Sequence, residues 1–279
     1  LRIRGSDATR INVTVNGVPL NDPESHGVFW VNMPDFATST ENIQIQRGVG
    51  TSTNGAASFG ASINMETSTI DTLPFAEFNN TFGSFNTRKH NAIINSGLIN
   101  NHFNFEGRLS YIASDGYIDR SAADLRSYYF AGGYYDKRFM IKAITFSGQE
   151  VTQQAWWGTP ESRINGDEEA MLKHAINNGL NETQTENLLN SGRTYNYYQY
   201  ENEVDNYGQD HYQLISGFQL TDDLYLNLTG HYTKGRGYFE QFKSDADLVD
   251  YGISNPVFGN LIFLYLRDCH IRSSFAMTN

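Results

Sequence analysis

Hydrophobic and polar positions fall into two textures along the chain. Up to about residue 67 the apolar positions form short alternations broken by glycine. Ile11, Val13 and Val15 alternate with Asn12 and Thr14, then meet the turn pair Asn16-Gly17. That pattern predicts a short strand entering a hairpin. Ile43 and Ile45 alternate with Gln44 and Gln46 ahead of Arg47-Gly48, and Ile63-Asn64-Met65 is a third β signal. From Phe75 the alternations lengthen. In residues 102–111, Phe103, Phe105, Leu109 and Tyr111 share one face and His102, Asn104, Glu106, Arg108 and Ser110 the other. In residues 224–232, Leu224, Leu226, Leu228 and Tyr232 oppose Tyr225, Asn227, Thr229 and His231. Period two gives one polar and one apolar face. Runs of about nine to eleven such residues suit a tilted strand crossing a bilayer.

Seven long strands are expected, near 75–83, 87–98, 102–113, 126–135, 138–148, 209–220 and 224–239. The second and fifth are ambiguous, since Lys142 and Phe146 share a face. Asn100-Asn101, Asp136-Lys137 and Thr221-Asp222-Asp223 are minimal turns, whereas 114–125 and 149–206 are long links. A tight turn at 84–86 is the exception. Short turns at one end and long loops at the other are the pattern of an outer-membrane barrel. A secreted β-sandwich would have shorter strands, of about five or six residues, and would not explain the asymmetry. The 149–206 loop predicts two helices. Residues 167–175 place acids first and Lys173-His174 last, which suits the helix dipole. Asn181 precedes Gln184 at capping-box spacing.

Composition narrows the class. The chain has 279 residues, 14% aromatic, with 17 Tyr and 18 Phe, and a net charge of -11. An acidic balance excludes the basic footprint of a nucleic-acid binder. A single cysteine, Cys269, excludes an internal disulfide. No stretch resembles a membrane helix, which leaves barrel strands untouched. The chain opens on Leu1 with no targeting segment, so a lost N-terminus is expected. Residues 261–266 are apolar on both faces. They read as a buried strand or, in preference, as part of a non-native tail over 261–279.

Candidate chemistry is sparse. Gly48, Gly50, Gly55 and Gly60 suggest a phosphate loop, but Ala56 stands where its lysine belongs and Thr53 where a dinucleotide fingerprint needs glycine. There is no G-x-S-x-G or S-x-x-K nucleophile motif. Asp245, Asp247 and Asp250 lack the glycine-centred order of a calcium loop. No catalytic residue, metal or cofactor is assigned, and the chain is expected not to be an enzyme. His211 and His231 fall on polar strand faces and line the interior rather than bind metal. His26, beside Phe29 and Trp30, is either a ligand contact or a solvated loop histidine. Trp156, Trp157, Tyr195, Tyr197, Tyr198 and Tyr200 concentrate in the long loop. Away from strand segments, such rings serve ligand contact or loop packing. Tyr128, Tyr129, Tyr134 and Tyr135 lie on a strand and are expected in an interfacial girdle.

One order of motifs is specific. IRG, then V-x-x-N-G-V-P, then I-x-x-Q-R-G-x-G, then a small-residue run ending G-A-S-I-N-M resembles the distal plug domain of TonB-dependent outer-membrane receptors. Asn16 stands for an acid of the usual wording, Gln44 and Gln46 for acids or apolar residues, and Ala61-Ser62 for a glycine pair. The resemblance implies a mainly β chain: distal plug over 1–70, then the N-terminal part of an antiparallel transmembrane barrel over 71–260. It implies active uptake powered by a TonB–ExbB–ExbD-type complex, with outer-membrane lipid around the barrel. An extracellular ligand would bind between plug apex and loops: a ferric siderophore or other metal chelate in preference, otherwise cobalamin, haem or a glycan. Arg47 takes the place of a plug–barrel coupling arginine. A passive porin or adhesin barrel would lack the plug motifs, and a secreted β-rich enzyme would need a convergent catalytic set.

Overall fold

The computed structural model describes residues 2–49, 59–67, 70–243, 247–252, 257–258, 261–262 and 269–275. Its first sheet holds β1 (Ile11–Val15), β2 (Val18–Pro19), β3 (Thr40–Arg47) and β4 (Ala61–Thr67) in the order β2-β1-β4-β3. Asn16 and Gly17 both take positive φ, 53° and 79°, as the two-residue hairpin demands. β1 pairs in parallel with β4, Val13 opposite Ile63, and β4 pairs antiparallel with β3, Ile45 opposite Ile63. β1 is buried along its whole length. Its polar positions are therefore paired; Thr14 Oγ1 donates to Asn64 Oδ1 at 2.8 Å. The glycine-rich segment 50–58, with Gly50, Thr53, Gly55 and Ala56, lies outside the described residues.

The second sheet is an antiparallel meander of the seven expected strands. They are β5 (Phe75–Phe82), β6 (Arg88–Asn95), β7 (Phe103–Ser114), β8 (Ala123–Tyr135), β9 (Phe139–Gln153), β10 (Val204–Thr221) and β11 (Leu224–Lys243). β8, β9, β10 and β11 run farther toward the long-loop end than the alternation indicates. There polar residues enter both faces, as with Gln149 and Glu150 or Asp205 and Asn206, so the hydrophobic signal weakens while backbone pairing continues. After a short pair, β12 (Val257–Phe258) and β13 (Leu261–Ile262), the backbone of β14 (Cys269–Phe275) adds to β11 as an eighth strand. Of the doubtful tail, residues 263–268 and 276–279 lie outside the described residues, as does Asp245.

The faces are reversed relative to a soluble sheet. Phe103, Phe105, Leu109, Leu224, Leu226 and Leu228 are exposed, while Asn104, Glu106, Arg108 and Ser110 are buried. What buries the polar face is the first sheet. One apolar core joins Ile11, Val13, Val15, Met33, Phe36 and Met65 to Tyr129, Ala131, Ile144 and Phe146 of β8 and β9. This explains the ambiguous fifth strand: its inner face meets protein rather than water, so apolar side chains are accepted there. It also corrects one expectation. Tyr129 is buried in that core and does not belong to a girdle, because adjacent strand residues point to opposite faces. Tyr134, by contrast, meets Phe103 and Phe139 on the outer face beside the short turns.

Residues 136–138 and 222–223 are tight turns, and Asn100 and Asn101 both take positive φ. The link 96–102 is wider than a two-residue turn because it holds the segment entering β5. Asn95 Nδ2 donates to Asp71 Oδ2 at 2.9 Å, and Leu98 N to Thr72 O at 3.2 Å.

Candidate functional site

Two zones gather the candidate residues. The first is the segment between β2 and β3, which rises along the inner face of the second sheet. Its turn is built by Asp22, whose Oδ1 accepts from Glu24 N at 3.0 Å and Ser25 N at 2.7 Å. Asn21 Nδ2 holds His26 O at 2.9 Å, and His26 takes a positive φ of 55°. His26, Phe29 and Trp30 are all exposed, Phe29 at 57% and Trp30 at 41%. Behind them the segment touches β9. A Cβ on Gly148 would lie 2.0 Å from Asn32 O, so only glycine permits the approach.

The same segment carries an ionic anchor. Asp35 sits in the left-handed region, φ 57°, which aspartate tolerates. Its carboxylate accepts from Lys89 Nζ, from Asn91 Nδ2 at 3.0 Å and from Ser110 Oγ at 2.7 Å, all on barrel strands. Arg108 lies 3.6 Å from Asp35 Oδ2. It also donates from Nε to Ser39 Oγ at 2.7 Å and from Nη1 to Ser127 Oγ at 3.0 Å. Burial alone would raise the Asp35 carboxyl, but the bonds from Lys89, Thr38, Asn91 and Ser110 outweigh it and hold it at about 2. Asn16 adds a second tie, donating to Gln213 Oε1 at 3.0 Å.

The second zone is the loop between β9 and β10. It contains α1 (Glu161–Asn165), α2 (Glu168–Asn177) and α3 (Glu182–Asn190). Asp167 caps α2, and Asn181 with Gln184 closes the expected capping box on α3. Met171, Ala175, Leu188 and Tyr195 form a core of the loop's own. Three polar residues fasten it to the barrel. Gln154 Nε2 donates to Glu240 O at 2.9 Å; Asn196 Nδ2 donates to Gln154 O at 2.9 Å and to Asp119 O at 2.8 Å; Glu203 accepts from Tyr200 N and Phe242 N.

Between this loop and β11 lies a cleft of about 590 Å³, walled by Trp156, Trp157, Tyr197, Tyr198 and Phe242. Trp157 is 74% exposed and Trp156 57%. Trp156 meets Tyr198 edge-on at 6.0 Å, and Tyr197 meets Tyr198 at 5.4 Å and 86°. Tyr200 packs on Phe242 at 3.6 Å. Tyr195 differs: it is buried in the loop core, where desolvation pushes its hydroxyl up to about 12. The six clustered aromatics thus separate into cleft wall, rim and core. Among the described residues, no ring contact joins them to Phe29 or Trp30.

Arg47 ends β3 exposed and, among the described residues, makes no ion pair. A charge contact between the two sheets lies at Asp35, which no motif marked. The one available signal was Arg108, a cation on a strand face expected to line the interior.

Comparison with known proteins agrees with this geometry. The TonB-dependent Receptor Plug Domain model matches residues 1–62. No curated protein matches the chain. Among solved structures, the ferric-catecholate import receptor Fiu of E. coli K12 is 14% identical with a TM-score of 0.65, over 87% of this chain and 34% of that one. The ferric yersiniabactin uptake receptor FyuA of Yersinia pestis is 13% identical with a TM-score of 0.61, over 83% and 33%. The ferric citrate transporter FecA is 17% identical with a TM-score of 0.59, over 86% and 36%. At such identities the likeness is one of fold. The chain spans about a third of the length of these receptors.

Proposed function

We propose that the chain is a segment of a TonB-dependent outer-membrane receptor and serves the active import of a scarce extracellular solute, a metal chelate. In this reading residues 1–70 are distal plug and 71–260 are barrel. The carrying observation is the plug seated against the polar inner face of the strands and held there by Asp35. A passive pore has no use for such an obstruction; a gated importer does. The solute is captured outside by Trp156, Trp157, Tyr197, Tyr198 and Tyr200 and by His26, Phe29 and Trp30 at the plug apex. A TonB–ExbB–ExbD-type complex then moves the plug. Arg47, at the open end of β3, is a coupling position for that movement. No covalent step is involved.

The names of the similar receptors support a chelate, since three of them take up ferric complexes. The test is uptake of radiolabelled iron complexes by cells whose sole receptor is the full-length protein, with and without TonB. Accumulation that depends on both receptor and TonB is expected. Uptake that persists without TonB would overturn the proposal in favour of a passive barrel.

A further inference from the structure

We infer that the cleft between the long loop and β11 takes a chelate carrying no net negative charge, uncharged or cationic. The inference rests on the uptake reading above and names the class of solute within it. An anionic ligand is read by guanidinium and ammonium groups free to meet it. The long loop beside the cleft supplies few. Between residues 154 and 203 there are eight acidic residues against three basic ones, Arg163, Lys173 and Arg193. Arg163 is turned inward, donating from Nη1 to Leu189 O at 2.6 Å. Arg120, on the neighbouring 115–122 loop, likewise donates from Nε to Tyr198 O at 2.9 Å. Lys173 and Arg193 do not line the cleft.

The cleft wall itself has one cation, Lys243, one acid, Glu203, and two amides, Gln184 and Gln241. Lys243 Nζ donates to Gln241 Oε1 at 3.1 Å. The plug apex repeats the sign: Asp22 and Glu24 flank the turn, and no Lys or Arg occurs between residues 20 and 35. A cleft and loop with this balance repel anions over about a Debye length, ~8 Å at physiological salt. The exposed Trp and Tyr faces act in the same direction. Their negative ring faces attract ammonium groups and stack on uncharged ligand surfaces.

Two measurements on the full-length receptor test this. In the first, three ferric complexes of different charge compete at low and high salt: a neutral trihydroxamate, an amine-bearing trihydroxamate and a trianionic tris-catecholate. The amine-bearing complex is expected to bind on the order of 10-fold or more tighter than the trianion at low salt, with the gap narrowing as salt screens it. Tightest binding by the trianion, weakened by salt, overturns the charge inference and leaves the chelate reading standing. The second measurement needs no ligand. The fluorescence of Trp156 and Trp157 is isolated as the difference between the parent and a Trp156→Phe, Trp157→Phe double variant. With each ion's quenching constant divided by its value for free N-acetyltryptophanamide, caesium is expected to quench it more strongly than iodide at low salt. If the normalised iodide constant is the larger, the inference fails. If no chelate binds while caesium still quenches better, the charge of the cleft stands and the chelate reading falls.

Discussion

At the scale of single residues, Asp35 decides how the two sheets stay together. Four hydrogen bonds and a buried guanidinium converge on one carboxylate, and all but the Thr38 bond cross from plug to barrel. The linkage has a definite sign. The folded pKa, about 2, lies below the ordinary value of 3.8. Its stabilisation is therefore complete above about pH 4 and is lost as pH falls through about 2. The shift corresponds to about 2 kcal/mol. Asp35→Ala should cost more, about 3–5 kcal/mol, because it leaves Arg108 buried without its partner. Lys89, partly exposed, should cost about 1 kcal/mol or less when changed to alanine. Hydrogen exchange of β1 and β4 in the full-length receptor measures both. Equal effects of the two substitutions would refute the ranking. Only Arg108, a cation on a strand face expected to line the interior, signalled any of this beforehand. Asp35 lies in a segment with no periodicity, and its partners come from strands 50 or more residues away.

Between elements, the plug segment comes close to β9 at Gly148. Gly148→Ala places a methyl 2.0 Å from Asn32 O, a separation no rotamer relieves. The variant should insert and close as a barrel yet fail to seat its plug, which limited proteolysis between residues 20 and 40 would report. A protected plug segment would contradict it. The loop separates two roles that share one residue type. Trp156→Ala and Trp157→Ala remove exposed rings, so loop stability should change by no more than about 0.5 kcal/mol while ligand affinity falls. Tyr195→Ala opens the loop core and should cost about 3–5 kcal/mol, by analogy with large aromatic truncations. Its loop should become protease-sensitive first. Affinity and surface proteolysis measured side by side tell the roles apart; a protease-sensitive loop in the tryptophan variants would mean those rings only pack. The clustering of rings in the sequence marked the region. It could not divide wall from core, because burial depends on where α2 and α3 turn their apolar stripes.

For the molecule as a whole, the alternation that placed seven strands carried two facts together: which residues pair into a sheet, and which face is left exposed. Both came through because a lipid-facing barrel strand must keep its apolar residues at period two. Depth along the bilayer did not come through, since periodicity is blind to height. By alternation alone Leu226 is one of four apolar residues on the outer face of residues 224–232, with no depth attached. In the structure it is the third residue after the 222–223 turn, opposite Phe218, which packs on Phe139 in the aromatic band beside the short turns. Leu214 stands farther up β10, between Ala143 and Gly230, half exposed on the same outer face. It is the better probe of the hydrocarbon. Charge on a lipid face costs about 2–4 kcal/mol at mid-bilayer and about 0–1 near the interface. Leu214→Arg should therefore destabilise the full-length receptor by about 2–4 kcal/mol, and Leu226→Arg by about 1 or less. Reversible unfolding in lipid vesicles measures the pair. The contrast is the informative quantity, because both substitutions add the same charge to the same face and differ only in height. Equal costs would mean that the aromatic band does not mark the membrane boundary and that the strands sit lower in the bilayer than their rings indicate.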